Sequence, residues 1–312
     1  GTLGVDRPTK IEGNVAFEQL SGNHSFDKLT LRGGLNLSDS AKLKIDKIYT
    51  EWQGGTIEGP ASSVVEVEAD TIFRITEEPA ATRVLQAPFV NRGLIIQYAT
   101  VSSNENAPLS SKPITNFGGF RIGNNANLES LELTLEPSSF LRVENPTDTR
   151  ILSLIMNSGS TALPTSISIE EGGILTIGGT GDMDRFRVNS GKGNRIEGKG
   201  KFQAKDTVIE MSGGSDLSFA IEEMLLENVQ AVASPAGTVN LSGPESFSVP
   251  AGVTLKETVF NHINLSSHVP VSLEGSITFN DGKITLDKDA DLTLKNASIR
   301  SSGKIPIELN RD

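Results

Sequence analysis

The chain has 312 residues with a formal charge of −11, 36% hydrophobic and 5% aromatic residues, 31 glycines and no cysteine. That length supports a sizeable core. The acidity leaves no basic surface for nucleic-acid phosphates, and the missing cysteines exclude disulfide staples, thiolate catalysis and cysteine-ligated metals.

No apolar run reaches the roughly 18 residues of a membrane-spanning helix. With one Trp and two Tyr, the interior has to be made of thin repeated layers of Val, Ile and Leu. The opening "GTLGVDRPTK" has neither an initiator Met nor a signal-peptide pattern and reads as a processed or recombinant boundary. From there the same unit returns along the chain: an apolar–polar–apolar triplet, a Gly-rich bend, another triplet. It is visible in "LTLRGGLNLSDSAKLKI" (29–45), "WQGGTIEG" (52–59), "VVEVEADTIFRI" (64–75), "LELTLEPSSFLRVEN" (131–145) and "ISIEEGGILTIGG" (167–179). Alternation with period two is the mark of a strand with one buried face. Three stretches do not fit a bare repeat, at 101–113, 157–166 and 181–195, and are read as projecting loops of the kind that carry function on repeat folds. The segment "SFAIEEMLLENVQAV" (218–232) is rich in helix formers, yet the period places Met224 to Leu226 in a strand.

The repeat is clearest in the last third. One series runs Phe247-Ser248-Val249, Val271-Ser272-Leu273, Leu292-Thr293-Leu294. A second runs Val253-Thr254-Leu255, Ile277-Thr278-Phe279, Ala297-Ser298-Ile299. A third runs Val239-Asn240-Leu241, Ile263-Asn264-Leu265, Ile284-Thr285-Leu286, Ile305-Pro306-Ile307. The step is 20 to 24 residues in each. Between the first and second strands stand Asp206, Asn228, Gly252, Gly275 and Asn296, the residue types that best tolerate the left-handed conformation of a tight bend. Three short strands per 20–24 residues predict an all-β, single right-handed parallel β-helix of roughly 12–14 turns, one continuous domain over 1–312. The closing "KIPIELNRD" stays in strand pattern with no covering helix, so the chain is read as part of a longer protein.

The phrases "EWQGGTIEG" (51–59) and "FVNRGLIIQYATV" (89–101) resemble those of bacterial surface β-solenoids, the pectin-lyase-like parallel β-helices of adhesins and autotransporter passengers. The resemblance implies export, display at the cell surface and attachment to a receptor or glycan on a host or neighbouring cell. The same family includes polysaccharide lyases and hydrolases, so the fold alone does not assign a function.

Chemistry is sparse. "DKDADL" offers Asp287, Asp289 and Asp291; in an extended segment alternate carboxylates share a face and could gather Ca²⁺, though the Gly and distal Glu of an EF-hand loop are missing. The competing reading is a solvated bend. "GDMDRFR" sets Asp182 and Asp184 beside Arg185 and Arg187, either a carboxylate pair for glycoside hydrolysis or ordinary ion-pair partners. His24, His262 and His268 have no metal-ligand spacing. Tyr49 and Trp52 are the candidate pair for stacking on a sugar ring, against the alternative that Trp52 packs inside, while Tyr98 stands alone. The outward Thr residues come singly, not in the paired arrays that bind ice. The expectation is therefore a non-enzymatic, extracellular adhesin-type β-solenoid without cofactor, acting as a stiff stalk or binding module. The alternative is a carbohydrate-active or glycan-binding β-helix that uses Ca²⁺.

Overall fold

The computed structural model of the protein describes residues 4–5, 9–11, 15–17, 23–77, 82–103, 113–157, 164–179, 184–189, 191–212, 214–242, 252–303 and 307–309. All regular structure among them is β-strand, paired in parallel between successive coils, and the stack is a β-solenoid of about 10 turns. It divides into two compact units, Gly1–Ile151 and Leu152–Asp312.

In the first unit each coil contributes three strands. Val64–Val67 lies against Phe89–Asn91, Thr71–Ile75 against Leu94–Gln97, and Gly55–Glu58 against Arg83–Gln86. The next coil adds Pro113–Asn116 and Gly119–Ile122 to the first two of these files. Every second side chain turns inward, so Val65, Val67, Phe73, Ile75, Phe89 and Ile95 are all nearly solvent-free. Each such burial is worth ~1.5–3 kcal/mol, and no single coil could bury its face alone.

In the second unit two runs go through all three faces without a break, Asn194–Ser212 and Asp216–Ser242, and they pair along almost their whole length. The helix-like composition of 218–232 is overruled here. Besides Ala220, its buried residues are Phe219 and Ile221, Met224 and Leu226, Val229 and Ala231. Buried pairs recurring every five residues match a strand that turns a corner after each pair, and they do not match a helical period of 3.6.

Coil length is less even than the sequence implies. Neighbouring coils are 18 residues apart at Val253 and Val271, but 32 apart at Ser153 and Arg185. The described strands stack in about 10 turns, against the 12–14 expected. All three expected loops are shorter than drawn: Val101–Ser102, Ser166–Ile169, Arg185–Val188 and the start of Asn194–Ser212 are all strand. Residues 104–112, 158–163, 180–183 and 190, the remainder of those loops, lie outside the described residues.

The bend residues form a file. Asp206, Asn228, Gly275 and Asn296 all have positive φ, at 47°, 51°, 69° and 50°. Lys205 and Thr207 pair with Glu227 and Val229 around the first two, and Glu274 pairs with Lys295 just before the last two, where the register shifts by one residue. Gly252 is also left-handed, at 102°, but it opens the strand Gly252–Lys256 and pairs with Glu223. Its expected place in the file belongs to Glu257, at φ 49°. There the Glu257 carboxylate accepts the Ser276 amide at 3.2 Å, which anchors a residue type that rarely takes this conformation. The triplet series shift accordingly. Val253–Leu255 stacks on Val271–Leu273, and Phe260 stacks on Phe279. In the third series Leu265, not Ile263, lies on Ile284, a slip of two residues that keeps every side chain on its own face.

Candidate functional site

Outward side chains are set by the same register. In the first unit the sheet made of Lys42–Trp52, Thr71–Ile75, Leu94–Gln97, Gly119–Ile122 and Phe140–Val143 presents three parallel outward files. One is Tyr49, Ile72, Leu94, Gly119 and Phe140. The second is Glu51, Arg74, Ile96, Arg121 and Arg142. The third, Gln53, Thr76, Tyr98, Gly123 and Glu144, follows from a continuous run of backbone bonds: Gln53 N to Leu31 O at 2.8 Å, Thr76 N to Trp52 O at 3.1 Å, Tyr98 N to Ile75 O at 2.9 Å, Gly123 N to Gln97 O at 2.9 Å and Glu144 N to Ile122 O at 2.9 Å.

These files carry a connected polar network. Arg32 Nε donates to Gln53 Oε1, and Gln53 Nε2 donates to Glu51 Oε2 at 2.9 Å. Tyr49 donates its hydroxyl to Glu51 Oε1 at 2.8 Å and accepts from Arg74 Nη1 at 3.2 Å. The Arg74 guanidinium then lies 5.3 Å from the centre of the Tyr98 ring, and its pKa is raised above the ordinary value, first by the hydrogen bond to Tyr49. Beside it Asn124 Nδ2 donates to Glu77 Oε2 at 3.3 Å. Glu51, Gln53, Arg74, Thr76, Glu77, Tyr98 and Asn124 line a shallow groove of about 420 Å³.

The expected pair Tyr49 and Trp52 is not brought together. Three residues apart in one strand, they point to opposite sides. Trp52 is 1% exposed, packed in the core with its indole N–H donated to Gly54 O at 3.1 Å. Tyr49 instead meets Tyr98 through Arg74, residues that lie 25 and 24 positions further along. The missed signal was this recurrence of outward residues at coil spacing.

The other candidates are placed as follows. Asp287 pairs with His268 and begins a turn closed by Ala290 N to Asp287 O at 2.9 Å, while Asp289 and Asp291 are exposed. Among the described residues no group of three or more His, Asp or Glu side chains is arranged to hold a metal ion. His262 lies 3.1 Å from Asp281. The side chain of His24, in the strand Asn23–Leu31, lies outside the described residues. Arg185 and Arg187 both reach Glu210 in the next coil, at 3.3 and 2.7 Å. Asp184 is 4% exposed, and Asp182 lies outside the described residues. In the second unit a larger recess of about 870 Å³ runs along the bend file, with Asp184, Asp206, Asn228 and Glu257 on its wall. Its acids are engaged by the fold: Asp206 accepts from Asn228 at 2.7 Å, and Glu257 holds Ser276.

Compared with models of protein families, with characterised proteins and with solved structures, the chain has no match to any of them. The likeness to surface solenoids is therefore carried by the quoted phrases and by the parallel coil itself.

Proposed function

We propose that the protein is a non-enzymatic, extracellular β-solenoid of the adhesin type, a stiff element that presents a binding surface at the cell exterior. The observation that carries this reading is the way charge is matched from coil to coil. Lys205, Glu227, Lys256, Glu274 and Lys295 form one alternating file across five coils. Lys44–Glu68, Arg187–Glu210, Lys201–Glu223 and Lys283–Glu308 do the same elsewhere. Single exposed pairs of this kind contribute little, but a file of them opposes slippage between coils under load, together with the backbone ladder. These pairs commit outward charge to holding the stack, and beside Tyr98 outward groups gather around a groove. Beads coated with the protein are expected to hold to cells under flow. Loss of attachment to every cell type tried would overturn the reading.

The second reading, a carbohydrate-active solenoid, draws on the recess where Asp206 and Glu257 share a wall. It requires turnover of a polysaccharide, with or without Ca²⁺, that Glu257→Gln abolishes.

A further inference from the structure

Among the described residues the outward aromatic rings all belong to one unit. They are Tyr49, Tyr98, Phe117 and Phe140, all within Gly1–Ile151. Three of them stand on the sheet face that carries the groove, and Phe117 sits at the corner beside it, under the Arg92 guanidinium at 4.7 Å. Two rings lie down on the strands. A Cβ built on Gly119 would come within 2.5 Å of Phe140 Cζ, and one on Gly123 within 2.7 Å of Tyr98 Cε1. Glycine at these two positions makes room for each ring against the sheet; Phe140 is 40% exposed, while the half-buried Tyr98 ring carries the Arg74 guanidinium over it.

We infer that this face binds a neutral oligosaccharide, with Phe140 as a platform for the apolar face of a sugar ring and Tyr98, Glu51, Arg74 and Asn124, on the groove wall, as receptors for its hydroxyls. The inference rests on the surface-binding reading above and names its ligand class. Flat rings flanked by planar carboxylate, guanidinium and amide groups suit a ligand whose every ring has an apolar face and a rim of hydroxyls. Charge argues for neutrality. Glu51 and Glu77 are matched by Arg74 within the groove and by Arg32 beside it, hydrogen-bonded to Gln53, and Arg121 is paired with Glu144, so neither strong anions nor strong cations are favoured. The groove's about 420 Å³ falls within the ~300–1,000 Å³ of small-ligand clefts. The hydrogen-bonded chain from Arg32 to Arg74 holds the receptors in place before the ligand arrives, which lowers the ordering cost of binding.

The test is an array of immobilised neutral, uronic-acid and sulfated oligosaccharides, probed with the whole chain and followed by titration of the best ligand. Neutral chains are expected to be captured, and Tyr98→Ala and Phe140→Ser each to weaken binding by roughly tenfold. Lys295→Ala in the second unit is expected to leave binding unchanged. Phe140→Ser carries the test if Tyr98→Ala unfolds, because Phe140 is largely outside the core. A silent array, capture of acidic chains only, capture of cell-surface protein instead of sugar, or binding unaltered by Phe140→Ser would each overturn the inference. If coated beads still hold to cells while the array stays silent, the ligand assignment fails and the attachment reading survives. If the array responds and the beads do not hold, the attachment reading fails and the ligand assignment survives.

Discussion

The two units are built from the same parallel coil, yet they keep their coils in register by different means. The first places amides inside. Asn91 and Asn116 are fully buried, and Asn91 Nδ2 donates to Asn116 Oδ1 at 2.6 Å and to Gly119 O at 3.0 Å. Asn116 Nδ2 donates in turn to Gly118 O at 2.9 Å, which repeats in the next coil the Asn91–Gly93 contact. The second unit places its order at the corner, in the left-handed file of Asp206, Asn228, Glu257, Gly275 and Asn296, and on the surface, in the alternating Lys–Glu file. A buried amide stack defines position because a slip would strand polar groups in the core, where each costs ~1–3 kcal/mol. The first unit also pairs charges between coils, as in Lys44–Glu68 and Arg92–Glu66, but its buried amides add a second constraint from inside, and its outer face carries the rings and guanidinia around the groove. In the second unit the outer charges are spent on register.

The comparison can be broken at several points, beginning with the layers both units share. Phe202, wholly buried and packed between Phe186 and Phe219 at 6.0 and 5.2 Å, is expected to cost ~3–5 kcal/mol on change to Ala in chemical denaturation, and Trp52→Ala a similar amount. Asn116→Ala strips the partner from Asn91 and is expected to cost ~1–3 kcal/mol, read by the same titration. A loss much below that range would show that the amide stack does not set register in the first unit.

At the corner of the second unit, Asn228→Ala is expected to lose ~1–2 kcal/mol, while Asn228→Gly restores most of it, because only the alanine pays for left-handed backbone. Equal losses for both would shift the credit to the hydrogen bond with Asp206.

Acid separates the units further. Burial, the largest single influence, pushes the Glu66 carboxyl up, but its hydrogen bonds and ion pairs with Lys42 and Arg92 together hold it below the ordinary value of 4.5. A carboxylate so lowered stabilises the fold at higher pH and loses that contribution as pH falls below about 4.5 through its folded value. Glu66→Gln is expected to flatten the acid limb of a melting-temperature profile. An unchanged limb would remove Glu66 from the account. The smallest effect is expected from Lys256→Ala in the alternating file, a shift visible at low ionic strength and gone in concentrated salt.

The coil was legible in the last third because two signals coincide there, alternation with period two and left-handed-tolerant residues at nearly constant spacing. The placing of Gly275 and Asn296 one coil apart, each just after the paired Glu274 and Lys295, follows from those two alone. Glu257 was not legible, since nothing about glutamate announces positive φ. The 29 residues that separate Glu223 from its partner Gly252 hid the slip in register around it. Trp52 was misplaced for a simpler reason: Tyr49 and Trp52 are close in sequence and on opposite sides of one strand. The groove was missed because its members are neighbours only across coils. Tyr49, Arg74 and Tyr98 look unrelated until the coil length is known to within a residue, and that length varies through bends and loops with no fixed pattern.

The groove therefore exists only if the coils of the first unit lie in the stated register, with Tyr49 beside Ile72 and Ile72 beside Leu94. The absence of native cysteine makes this directly measurable. Ile72 and Leu94 are outward residues on adjacent strands, so Ile72→Cys combined with Leu94→Cys is expected to close a disulfide under mild oxidation, within the ~4.4–6.8 Å span such bonds need. Ile72→Cys combined with Ile96→Cys, two positions out of register on the same face, is expected to stay reduced. Ready closure of the second pair and not the first would contradict the stacking, and with it the assembly of the binding face.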